Sequence, residues 1–164
     1  MRLRIVRRIA RRLSGEERGQ AMIETALSSL FLMLVLLGGI ELGMVAYAAV
    51  EVANSAKAAA QYAAMNGGAW TRTGLDTVGM LAAAQADAGN LVTRISFTTP
   101  PTYACRCTGG GFANCGTAPP TGCSGSHLLV TIQVKTQAIY TPLVHAVGFG
   151  SIVLKGSAQQ EVLQ

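Results

Sequence analysis

Apolar and polar residues follow three different rhythms along this chain, and each predicts a different kind of element. Between Glu24 and Glu41 lie sixteen uncharged, mostly apolar residues. As a helix they span about 24 Å, slightly short of the roughly 20 residues that a hydrocarbon core requires. Continuing through residues 43–50 makes the segment long enough to cross, but then Glu41 lies within it. Residues 51–65 are rich in alanine and strong in helix propensity, and Asn66-Gly67-Gly68 is a stop signal. The pattern therefore predicts one helix over 20–66, roughly 70 Å long, with a transmembrane half at about 25–48. After a loop in which Trp70 reads as a packing residue, residues 75–86 predict a second, modest helix ending at Gly89.

Beyond residue 90 the period drops to two. Residues 91–98 place Ile95 and Phe97 on one face. Residues 127–137 alternate well, with Val130, Ile132 and Val134 opposite Thr131, Gln133 and Lys135. Residues 151–162 are a weaker strand because Gly156 interrupts them, and 142–147 form a turn or short helix before them. The expected fold class is α+β, a three-stranded antiparallel sheet covered by the long helix. Three regions result: a basic leader at 1–19, the long helix at 20–66 and a head at 67–164.

Between the first two strands, residues 100–126 hold two Pro-Pro pairs, the Gly109–Gly111 run and all four cysteines, Cys105, Cys107, Cys115 and Cys123. An even cysteine count in a Gly/Pro-rich, exported loop reads as two disulfides stapling a segment with no core of its own. Three pairings are open, and Cys105–Cys107 is geometrically the least favourable. The alternative, four thiolates around zinc, lacks the paired knuckles such sites use.

Charge sharpens the picture. Only 13% of residues are charged and half are hydrophobic, against about 25% charged in an average soluble chain. The net charge of +5 resides in the first nineteen residues, where seven arginines face Glu16 and Glu17; the remaining acidic and basic side chains cancel. With no basic face left outside the leader, nucleic-acid binding loses its support. An arginine-rich stretch before an apolar helix is a topology signal held in the cytoplasm, and the spacing of Ile5, Ile9 and Leu13 also suits an amphipathic helix on anionic lipid. His127 and His145 stand in no nucleophile, acid–base or metal arrangement. The glycine run lacks the lysine and the strand–helix setting of a phosphate loop. No enzyme, cofactor or metal centre is expected.

The junction Arg18-Gly19-Gln20-Ala21-Met22-Ile23-Glu24 joins the leader to the apolar helix, and a carboxylate at the mouth of a membrane-length segment is costly enough to imply a use. The junction resembles a type IV prepilin processing site, and more narrowly the TadE-like pseudopilins of tight-adherence (Tad) pilus systems. Further likeness lies in Gly39–Gly43, in the alanine-rich 53–64, and in Thr131-Ile132-Gln133-Val134, Tyr140-Thr141-Pro142-Leu143 and Gln160-Glu161. It covers 18–66 and, more loosely, 128–162. The resemblance implies a cut after Gly19 by a prepilin peptidase, making Gln20 the first mature residue and Glu24 the fifth. It implies pairing of Glu24 with the amino terminus of a neighbouring subunit, an attraction that is strong in low dielectric. It also implies a bacterial inner-membrane protein, cytoplasmic at its N-terminus and periplasmic at its head. Its partners would be the peptidase, other pilin or pseudopilin subunits, the inner-membrane pilus machinery and membrane lipid. Glu41 is an intramembrane carboxylate to which the resemblance lends no role.

Two features depart from major pilins: Thr25 stands where an aromatic usually follows the glutamate, and Gln20 replaces Phe or Met. Two rival readings share the same residues. In one, the leader is never removed and the head binds a periplasmic partner. In the other, Ala46-Tyr47-Ala48 is a signal-peptidase site and a secreted, disulfide-bonded module begins at Ala49.

Overall fold

The computed structural model describes residues 2–66, 74–89, 94–111, 113, 115, 123, 126–142 and 150–163, with side chains from Gly19 onward. Trp70, His145, most of the 142–147 turn and the first residues of the 91–98 strand lie outside them. The chain divides into two units, Met1–Gly43 and Met44–Gln164.

The first unit is helical over all its described residues. Helix α1 runs without a break over Arg2–Met65, so the leader continues into the apolar segment instead of forming a helix of its own. Gly15 and Gly19 do not stop it: a glycine inside a helix costs only about 1 kcal/mol relative to alanine, and good helix formers surround both.

In the second unit, the end of α1 lies against a sheet. Its buried positions are Ala48, Val52, Ser55, Ala56, Ala59, Ala60 and Ala63, recurring at the three-to-four-residue spacing of one helix face. Small side chains there let the sheet come close. Helix α2 (Thr77–Asp87) adds Met80 and Ala84 to the same core.

The sheet is antiparallel and has four strands: β1 (Ser96–Phe97), β2 (Thr102–Cys107), β3 (Leu128–Tyr140) and β4 (Ile152–Leu163). It is still only three strands wide. Along its whole length β4 pairs with β3 on one side, whereas β1 and β2 follow each other along the opposite side of β3. The additional strand, β2, occupies the start of the segment expected to be loop. β1 and β2 are parts of one line broken by Pro100 and Pro101, which have no N–H to give to a ladder. From Phe97 to Thr102 the chain takes five steps while its partners, Thr136 to Gln133, take three.

β3 alternates as its sequence predicts. Leu128, Val130, Ile132, Val134, Thr136 and Ala138 are buried, and Gln133 and Lys135 are exposed. β4 is a regular twelve-residue strand, and Gly156 does not interrupt it. Gly156 sits opposite Thr136 in the register and is buried against α1. A Cβ there would lie 2.8 Å from the Val52 carbonyl carbon and 2.9 Å from Ala53 Cα. At the same point the Thr136 hydroxyl donates to the Val52 carbonyl (2.9 Å), as does the Ser55 hydroxyl (2.8 Å). Glycine therefore allows backbone-to-backbone contact, and two fully buried hydroxyls are satisfied within it.

Candidate functional site: the Gly19–Met65 helix and its anchorage

Gly19 and Gln20 are exposed on α1, and a Cβ at Gly19 would meet nothing within 4 Å. Packing within the chain therefore does not explain the glycine. Glu24 is exposed, and Glu41 is partly buried. Seventeen residues apart on one helix, the two carboxylates lie about 100° apart around the axis and do not share a face. Beside the junction, the Thr25 hydroxyl donates to the Ala21 carbonyl (2.8 Å) and the Ser29 hydroxyl to the Ala26 carbonyl (2.9 Å). Both hydroxyls are thus satisfied within the helix, which suits an apolar surrounding.

The apolar side chains from Met22 to Leu42 point outward all round; Phe31 and Leu36 are each 65% exposed. A soluble helix would bury such a stripe, whereas a helix that is apolar on every side belongs in lipid or in a bundle of other chains. Among the described residues, one helix is long and apolar enough to cross a membrane, the Gly19–Met65 part of α1.

At its far end the helix is secured. The Asn66 N–H and side-chain amide both donate to the Tyr62 carbonyl, each at 3.0 Å. The Tyr62 hydroxyl donates to Asp76 Oδ2 (3.0 Å), and Asp76 Oδ1 accepts the N–H of Gly79 (3.0 Å), capping α2. Gly79 has to be small, because a Cβ there would overlap both the Tyr62 ring and the Asp76 carboxylate. The Gly79 N–H first, and then the Tyr62 hydroxyl, hold the Asp76 carboxyl below its ordinary value of 3.8. A depressed carboxyl pKa adds stability that is complete above the ordinary value and disappears as pH falls through the lower, folded-state value. Tyr62→Phe is therefore expected to raise the Asp76 midpoint in a carbon-detected carboxyl titration and to make acid unfolding begin at higher pH. An unmoved midpoint would mean that the hydroxyl does not reach the carboxylate.

The four cysteines come together as Cys105–Cys115 and Cys107–Cys123, with Cα separations of 5.5 and 5.4 Å. Cys105 and Cys107 are nearly buried on one face of β2. Two residues apart in a strand, they stand about 7 Å from each other and point the same way, so each must reach outside the strand for its partner. The returning chain also covers the outer edge of β2: the Cys107 N–H donates to Gly111 O (3.2 Å), and Ala113 N–H to Cys105 O (3.4 Å). Among the described residues, no group of three or more His, Cys, Asp or Glu is placed to hold a metal. His127 sits exposed at the entry to β3, and its backbone N–H donates to the Thr108 hydroxyl (3.1 Å). The Asp76 cap escaped the sequence reading although its signal, an aspartate just before Thr77, was there to be used.

A long, bare apolar helix ahead of a small, disulfide-bonded α+β unit is consistent with a single-pass membrane protein. Residues 19–61 match the family model described as TadE-like protein. The match opens on Gly19 and runs through the apolar segment into the alanine-rich face that packs on the sheet, so this part of the chain is similar to TadE-like proteins. The looser likeness over 128–162 is not part of the match. Neither the curated proteins nor the solved structures contain a match.

Proposed function

We propose that the chain is a minor pseudopilin, cut after Gly19 by a prepilin peptidase and used to start, cap or anchor a Tad-type pilus. It performs no catalysis. The observation that supports this reading most is the coincidence at Gly19: the family match begins at a glycine that the fold does not need, in open space, five residues before Glu24. A peptidase needs a small, accessible residue there. Removal of the leader takes away the net positive charge and creates the amine of Gln20. In lipid, that ammonium and the Glu24 carboxylate of a neighbouring subunit neutralise each other, which an isolated copy cannot achieve without cost. Before assembly the apolar helix holds the subunit in the inner membrane, leader inward and disulfide-bonded head outward, where the oxidising compartment allows the cystines to form.

The N-terminal residue of the protein recovered from its native membrane, read by intact mass and peptide mapping, tests this directly. Gln20 is expected, and Gly19→Trp is expected to leave the leader attached. An intact Met1 in the unaltered protein would overturn the processing step in favour of a plain membrane anchor. Ala49 would replace the pseudopilin with a secreted module.

A further inference from the structure

The two long sides of the sheet are finished differently. On the β2 side, the cysteine segment folds back and takes up the outward backbone groups of Cys105 and Cys107. On the other side, β4 pairs with β3 and with nothing else among the described residues. The direction of its free groups follows from the register. Thr98 N–H donates to Lys135 O, and Thr108 N–H to His127 O, so odd-numbered residues of β3 turn their N–H and C=O toward β1 and β2. Even-numbered ones turn theirs toward β4, and the even residues of β4 answer them. Lys155, Ser157, Gln159 and Glu161 therefore aim their backbone N–H and C=O groups off the free edge, and their side chains are exposed on the outer face of the sheet. An edge of this length with no proline, bulge or covering segment among the described residues offers its backbone groups to another strand.

A second copy of the chain meets two obstacles at that place. Antiparallel pairing of β4 with itself requires a two-fold axis normal to the sheet, and such an axis reverses any helix lying on the sheet. Val52 and Ser55 put the end of α1 there, so two heads joined by this edge would carry those helix ends in opposite directions. Pairing β4 to the far side of the next copy is blocked by the cysteine segment.

Charge defines what remains. Glu161 lies 3.9 Å from Arg106, but Lys155 and its diagonal neighbour Lys135 have no acidic partner among the described residues. Both are exposed on the outer face beside Ser157 and the hydroxyls of Thr98 and Thr99. We infer that the β4 edge receives an extended strand from a different, pilus-related protein, one that presents a carboxylate to Lys155 and Lys135. Main-chain hydrogen bonds from residues 155–161 give the contact its strength, and the lysines set its register. This inference rests on the reading of the chain as a pilus-assembly subunit.

The probe is an extended peptide of alternating valine and threonine with one aspartate, N-methylated along one edge so that it cannot pair with itself. A twin carrying lysine in place of aspartate is the control. Added to the full chain in detergent, the aspartate peptide is expected to slow amide exchange at Lys155, Ser157 and Gln159; the twin is not. Ser157→Pro removes an outward N–H and leaves the β3 ladder untouched, so binding should weaken about tenfold or more, while Ser157→Ala retains it. Lys155→Glu should reverse the preference between the peptides, which keeps the test decisive if the proline variant folds poorly. Unslowed exchange, binding unaffected by the proline in a folded variant, or equal binding of the two peptides would overturn the inference. In cells, a Ser157→Pro chain that still begins at Gln20 but no longer supports pilus assembly is the expected result. A Met1 terminus would overturn the processing step alone, and the peptide result would still decide the edge.

Discussion

Gly156→Ala is expected to lower the unfolding free energy of the full chain by about 1–3 kcal/mol, the usual cost of forcing extra carbon into a packed interior, and Gly156→Val by more. General strand propensity predicts the opposite sign, since glycine weakens a strand and alanine should strengthen it. The difference lies in what the new methyl meets. It meets the backbone of α1 at Val52 and Ala53, which cannot rotate aside as a side chain would. The helix must lift, and the lift breaks the hydrogen bond from Thr136 to the Val52 carbonyl and strands a buried hydroxyl. Urea unfolding in detergent with the disulfides intact measures the effect. Unchanged or raised stability for Gly156→Ala would mean that α1 does not rest on β4 at this point.

The second large effect comes from the cystines. Replacing Cys107 and Cys123 with alanine opens a closure of 16 residues, worth about 3 kcal/mol in the chain-entropy account. The Cys105–Cys115 closure, at 10 residues, is worth slightly less. Because both are rooted two residues apart on β2, their effects should not add. With one cystine gone, the other still holds the segment on the edge of β2; with both gone, the segment is released and Cys105 O and Cys107 N–H lose their partners. The paired deletion is therefore expected to cost more than the sum of the singles. Equal urea midpoints with and without reductant would show that the cystines do not stabilise the head.

Much of this molecule was readable from residue types alone, and the failures have identifiable causes. The long helix, its alanine-rich continuation and the alternation of β3 are strong periodic signals backed by length. β2 was hidden because Thr102–Cys107, although it alternates, is enclosed by Pro100-Pro101 and the Gly109–Gly111 run, so the turn signals outvoted it. From residue types alone Gly156 reads as a flaw in a strand, because a sequence shows the missing side chain and not the helix that fills its place. The Cys pairing depended on which way two neighbours on a strand point, and that required the strand to be recognised first. Gly19 and Glu24 could be singled out by spacing, but only the structure shows that the glycine stands in open space.

The break at Pro100-Pro101 sets a rule of parity. Five steps on one side against three on the other is an excess of two, an even number, so inward and outward positions stay in phase across it. Ile95 and Phe97 before the break, and Tyr103, Cys105 and Cys107 after it, all turn toward the helix side. Had one residue been inserted, or were one of the prolines deleted, every side chain of β2 would change sides. Both cysteines would then face water, and Ala104 and Arg106 would turn into the core. Between Phe97 and Thr102 this chain therefore tolerates changes of length only in steps of two.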